Sequence, residues 1–191
     1  MKEEIKDDVK KAFEVLANGG LILYPTDTIW GIGCDATNEE AVKRVYELKK
    51  RVDSKALIVM VDNPVKLDFY IDGVPNVAWD LLEVADKPLT IIYDNARNIA
   101  PNLIAEDGSL AIRVTKEEFS YELCKRFRKA IVSTSANISG EPSPANFDEI
   151  SDQIKSGVDY IVNYRQEERL KAKSSSIIKL GKSGEIKIIR E

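Results

Sequence analysis

Apolar residues Ile5, Val9, Ala12, Phe13 and Leu16 fall at helical spacing, and Gly19-Gly20 supplies a stop, so the chain is predicted to open with an amphipathic helix. Leu21-Ile22-Leu23-Tyr24 is then a short unbroken apolar run closed by Pro25, as expected of a buried strand. Thr37-Asn38-Glu39-Glu40 has the form of a capping box and predicts a second helix through Ala41, Val42, Val45 and Leu48. Ala56 to Val61 reads as a strand, and Pro64 and Pro75 as the starts of two helices, the later one running through Val77, Leu81, Leu82 and Val84. Strands follow at Leu89 to Tyr93, Leu110 to Val114, Ala130 to Ser133, Val158 to Val162 and Ser176 to Leu180, with helices at Phe119 to Phe127 and Phe147 to Ile154. Pro25 to Gly33 reads as a loop, as does Thr134 to Ala145 with its Gly140, Pro142 and Pro144. Gly181-Lys182-Ser183-Gly184 is a hairpin signal, with Ile186, Ile188 and Arg190 alternating behind it. Strands and helices mix without strict alternation. That predicts one α/β domain over residues 1–191, built on a twisted, mixed to antiparallel sheet flanked by helices.

Composition narrows the chemistry more than the fold. The chain has 191 residues, 43% hydrophobic and 31% charged, as in ordinary globular proteins. No apolar run approaches the roughly 18 residues of a membrane span. Met1-Lys2-Glu3-Glu4 opens into charge, so no signal peptide and no membrane partner are expected, and the protein is placed in the cytoplasm. Cys34 and Cys124 lie far apart in sequence and read as reduced, buried thiols. Histidine is absent. This excludes a Ser-His-Asp triad and removes the commonest general base and metal ligand, so no protein metal site is expected. A net charge of −4 argues against indiscriminate coating of nucleic acid but leaves room for a local basic site.

Four segments could carry chemistry, and each has a plainer structural reading. Thr26, Asp27 and Thr28 sit at a strand end, where open sheets bind ligands, yet Thr and Asp there also make ordinary turn bonds. Lys49-Lys50-Arg51 with Lys55 can clamp phosphate, or simply favour a helix C-terminus. Ser133-Thr134-Ser135-Ala136-Asn137 can hold phosphate or carboxylate oxygens, or form a turn. Ser174-Ser175-Ser176 precedes a strand. Arg113, on an otherwise apolar strand, needs an anionic partner from a ligand or from an Asp.

In order and together, these elements resemble the YrdC-like family of threonylcarbamoyl-AMP synthases. The matching residues are Tyr24-Pro25-Thr26-Asp27-Thr28 with Gly31-Ile32-Gly33, then Lys49-x-Arg51, Pro88-Leu89-Thr90, Ala111-Ile112-Arg113 and Ser135-Ala136-Asn137. The resemblance implies a single α/β domain with a concave basic pocket, in the short form of the family. It implies condensation of L-threonine, bicarbonate and ATP, with Mg2+, to threonylcarbamoyl-AMP and pyrophosphate. A separate transferase complex then passes the group to tRNA. Residue by residue, it implies Thr28, Arg113, Ser133 and Ser175 at the threonine. It places Lys49, Arg51, Lys55, Ser109, Ala111, Ser135, Asn137, Ser143 and Arg190 at the nucleotide, with Lys49 and Arg51 catalytic. Met60 stands where the family commonly has a histidine, Lys55 where it has asparagine, and Val52 where it has proline. The rival readings are a module that binds double-stranded RNA or tRNA without catalysis, a sensor of threonine or nucleotide that has lost activity, and, more remotely, a Ser/Lys hydrolase suggested by Ser176-Ile177-Ile178-Lys179.

Overall fold

The computed structural model describes residues 3–51, 57–169 and 173–191, so Lys55 and Ala56 lie outside the described residues. Nine strands form one sheet: β1 (Ile22–Tyr24), β2 (Gly31–Gly33), β3 (Ile58–Val61), β4 (Leu89–Tyr93), β5 (Leu110–Val114), β6 (Ile131–Ser135), β7 (Tyr160–Ile161), β8 (Ser176–Leu180) and β9 (Ile186–Arg190). Their spatial order is β7-β1-β2-β6-β3-β5-β4-β8-β9. Neighbours are parallel at β1–β7, β3–β5 and β4–β8 and antiparallel elsewhere, so the expected mixed sheet is borne out. The helices are α1 (Glu3–Ala17), α2 (Glu39–Lys49), α3 (Leu67–Tyr70), α4 (Val77–Val84), α5 (Glu118–Phe127) and α6 (Asp152–Ser156).

Side chains in the central strands alternate between two chemically different faces, as the pleat requires. Val59, Ile91, Ile112 and Val132 point to one face and pack with Ala41, Val42 and Val45 of α2 in the larger core. On the other face Ile22, Tyr24, Met60 and Ile131 are covered by α1 and α5, through Ile5, Val9, Leu16, Phe119 and Leu123. The α1 anchors Ile5, Val9, Ala12 and Leu16 are almost fully buried, each large one stabilising by about 1.5–3 kcal/mol through area removed from water.

That second face changes character partway across the sheet. One register row runs from Met60 to Arg113, Thr90, Ile177 and Arg190. The adjacent row runs from Ser133 to Ile58, Ala111 and Ile92. The apolar core under α1 and α5 thus gives way, along continuous ladders, to the floor of a cavity.

Several local expectations are corrected. Gly31–Gly33 is a strand, pairing with both β1 and β6, and not part of a loop. Thr134 and Ser135 belong to β6 and not to the loop after it. Asn38, and not Thr37, caps α2, its side chain accepting from the Ala41 amide; the Thr37 amide and hydroxyl both donate to Asp35. Phe147 to Ile154 is broken into a 3-10 turn capped by Asn146 and α6 capped by Ser151.

Candidate active site

A cavity of about 280 Å3 lies over the polar half of the second sheet face. Its lining includes Thr28, Arg51, Ala111, Arg113, Ser133, Ser135, Ser143, Ser175 and Arg190, nine of the residues expected from the sequence. Three arginines and seven serine or threonine residues line it, and no described carboxylate is on the wall. Such a surface suits phosphate and carboxylate oxygens, for which arginine supplies a planar fork of donors.

The wall at Thr28 is held by its own turn. The Thr26 hydroxyl donates to the Ile29 carbonyl at 2.8 Å and accepts from the Thr28 amide at 3.0 Å. The turn chemistry and the cavity wall are therefore the same structure. Arg113, 4% exposed, donates through Nη2 toward the Thr26 hydroxyl at 3.5 Å, and its Nε lies 3.2 Å from Oδ1 of Asp27. Neither of those two paired atoms has a hydrogen-bond partner, so the ion pair is close without being aligned. Burial raises the Asp27 carboxyl above its usual range, and Arg113 opposes that rise. The partner that a lone arginine on an apolar strand needs is thus Asp27.

The opposite wall comes from the end of the chain. The Ser175 hydroxyl is 2.8 Å from that of Thr90, and the Ser175 carbonyl accepts from Nε and Nη2 of Arg190 at 3.0 and 2.7 Å. Burial, and then repulsion from Arg113, lower the affinity of Arg190 for its proton. The site therefore concentrates like charge that an anion would relieve.

The Lys49-x-Arg51 pair is divided. Arg51 lines the cavity, whereas Lys49 is 1% exposed and lies outside the lining. The Lys49 ammonium donates to the carbonyls of Ser135 and Asn137, the latter at 2.6 Å, and the Lys49 carbonyl accepts from the Ser139 amide at 2.8 Å. Lys49 thereby fastens the end of α2 to the chain leaving β6. Lys50 allows the separation by adopting a left-handed conformation, φ 50. Burial, and then Arg51, push the Lys49 ammonium down to about 8. Asn137 is also outside the lining: its amide nitrogen donates to the carbonyls of Ile138 and Glu141 and shapes that same segment. Ser109 precedes β5 on the face of Ala111 and Arg113, but its amide bonds Asp107 and it stops short of the cavity. Met60 is fully buried beneath α5.

Trp30, Thr134 and Ser174 also line the cavity; Thr134 and Ser174 lie in segments that could carry chemistry, but none of the three was assigned a site role from the sequence. The tryptophan ring packs against Phe147 at 4.8 Å, a contact between residues too distant in sequence for any local pattern to reveal.

Residues 14–191 match the family model Sua5_yciO_yrdC, described as "Telomere recombination". The chain belongs to the Sua5/YciO/YrdC family. Among its relatives in this family, the threonylcarbamoyl-AMP synthase of Pseudoalteromonas translucida (strain TAC 125) is 34% identical over 81% of this chain and 84% of its own length. That of Hahella chejuensis (strain KCTC 2396) is 37% identical over 80% and 83%. The crystal structure of P. abyssi Sua5 complexed with L-threonine superposes with a TM-score of 0.81 at 26% identity, covering 94% of this chain. This chain spans 52% of that longer protein. No helix among the described residues is long and apolar enough to cross a membrane.

Proposed function

We propose that this chain is a cytoplasmic threonylcarbamoyl-AMP synthase that joins L-threonine, bicarbonate and ATP, releasing pyrophosphate. The observation that carries this reading is the cavity itself. It sets three arginines and a ring of hydroxyls over a sheet floor, in a chain whose relatives bear that name. Arg113 receives the threonine carboxylate, with Thr28, Ser133 and Ser175 around the amino acid. Arg51, Arg190, Ser135 and Ser143 face the nucleotide, and Ala111 leaves room on the floor. Lys49 and Asn137 serve the nucleotide end by fixing the Ser135–Ser139 segment, and Ser109 by seating the start of β5. A nucleotide contact by Lys55 rests on the family resemblance alone.

No side-chain nucleophile is required. The threonine amine attacks the carbon of CO2 derived from bicarbonate and loses a proton, forming a carbamate. A carbamate oxygen attacks the α-phosphorus, and the α–β bridging bond breaks with its electron pair leaving on pyrophosphate. The protein contributes orientation and fixed positive charge where negative charge moves. Magnesium ordinarily binds through one or two carboxylates plus substrate phosphates. The described lining has no carboxylate, and no described cluster of Asp, Glu or Cys is arranged to hold a metal. The described residues therefore offer no magnesium site of their own; Mg2+ would come with ATP, held by its phosphates, and the fixed positive charge of the described lining is that of the arginines. Transfer to tRNA is left to a separate complex.

The test is pyrophosphate release with threonine and bicarbonate omitted in turn. Release that requires both supports the reading, and release indifferent to threonine overturns it.

A further inference from the structure

A second and larger cavity, about 580 Å3, opens beside the candidate active site. Trp79 and Leu82 of α4, Leu89 at the start of β4 and Val114 at the end of β5 give it apolar walls. The two cavities share no lining residue, and the Asp27–Arg113 ion pair stands between them. Asp27 faces the larger cavity and Arg113 the smaller. Oδ1 of Asp27 is buried and close to Nε of Arg113 without a hydrogen bond, while the side chain as a whole is 13% exposed and meets the larger cavity, so the carboxylate presents charge there that Arg113 does not fully satisfy. The lining also carries Glu83, Asp86 and Glu117 against Lys87 and Lys116, so with Asp27 the carboxylates outnumber the cations four to two. Apolar walls with that balance of charge select a ligand with an apolar body and a positively charged donor, and a tryptophan on the wall adds attraction for a cation.

We propose that the larger cavity is a second ligand site, for a small amphipathic cation carrying a primary ammonium on an aromatic or aliphatic body, and that this ligand binds cooperatively with the amino acid. The ammonium takes up the negative charge of Asp27. The positive charge of Arg113 is then less committed within the protein and more available to an incoming carboxylate. The coupling rests on the proposed role of Arg113 at threonine; binding of the cation does not.

The probe is 2-phenylethylamine, titrated calorimetrically at neutral pH beside 2-phenylethanol and phenylacetate, which keep the ring and exchange the ammonium for a neutral or anionic group. The amine is expected to bind about tenfold more tightly than the alcohol, with the carboxylate weakest, because the amine alone offers a charge-assisted bond to Asp27. Asp27→Asn should erase the advantage of the amine over the alcohol. Ala85→Trp adds bulk to the lining without altering Asp27 or Arg113, and should remove binding of both. Leu82→Trp serves the same end if Ala85→Trp does not fold. With the amine saturating, threonine should bind roughly fivefold or more tightly, and threonine should tighten the amine by the same factor. Equal affinity for all three probes, an amine preference that survives Asp27→Asn, or amine binding that persists in the folded tryptophan variant overturns the site. Unchanged or weakened threonine affinity overturns the coupling. A chain that binds the amine but never binds threonine keeps the site and removes the synthase reading instead.

Discussion

The guanidinium of Arg165 donates through Nη1 to the carbonyl oxygen of Thr26 at 3.0 Å, from a residue whose own backbone sits at φ 68. The same side chain reaches Glu117, the cap of α5, at 3.5 Å, and Glu168 at 2.8 Å. Arg165 therefore braces the Thr26–Thr28 wall against the segment that follows Arg113. A left-handed backbone costs a non-glycine residue about 1–2 kcal/mol, which allows the side chain and the backbone to be tested separately. Arg165→Gly and Arg165→Ala both remove the brace, but only glycine relieves the backbone. The glycine variant should be the more stable of the two by about 1 kcal/mol in urea unfolding. Both should bind threonine about tenfold more weakly, the effect of losing one charged hydrogen bond that orders the wall. Threonine affinity equal to that of the parent chain would show that the wall needs no brace.

Lys49 makes stability depend on pH in an unusual direction. Its folded-state value of about 8 lies below its ordinary value of 10.5, so between the two the unfolded chain binds the extra proton. Stability linked to this group therefore rises as pH rises through that window, and the penalty of burying the charge is fully present below it. In paired urea titrations at pH 8 and pH 10, the parent chain should gain stability relative to Lys49→Met. A constant difference between the two proteins would place the Lys49 titration outside that range.

Gly33 is required by packing and not by its backbone angle. A β-carbon there would lie 2.7 Å from Cε1 of Tyr24 and 3.0 Å from the Val132 carbonyl oxygen. Both neighbours sit in the sheet, and Tyr24 is itself tied to Val132 through its hydroxyl at 3.2 Å. Gly33→Ala should destabilise the fold by about 1–3 kcal/mol, the usual cost of overpacking. A melting temperature unchanged from the parent would mean that Tyr24 can yield.

Arg51 supplies charge to the cavity from the end of α2. Arg51→Ala should lower pyrophosphate release by roughly 100-fold or more, the scale seen when one charge-stabilising donor is lost, while circular dichroism remains that of the folded chain. Undiminished release would remove Arg51 from the reaction.

Strands with dense β-branched or apolar runs were readable to the residue: Leu89–Tyr93, Leu110–Val114 and Ser176–Leu180 are where the pattern put them. Gly31–Gly33 was not, because glycine disfavours strands and only the neighbours on both sides hold it there. Thr134 and Ser135 were missed for a related reason. Consecutive polar residues at the end of a strand mimic a loop when they border a cavity instead of a core. At the site, residue types pointed to the cavity, but their directions were hidden. Nothing local tells that Lys49 turns beneath the β6 exit while Arg51 turns outward. Asp27 and Arg113 meet across a sequence separation that no short motif spans.

The cavity floor consists of ladder residues, and this divides the molecule by the ease with which its parts open. Ala111, Arg113 and Ser133 are held between paired strands, so their amide protons should exchange with solvent only when the sheet itself comes apart. The Thr26–Thr28 and Ser174–Ser175 edges depend mainly on side-chain bonds and should open far more often. Ligands can then come and go through breathing of the rim while the geometry beneath them stays fixed for the lifetime of the fold.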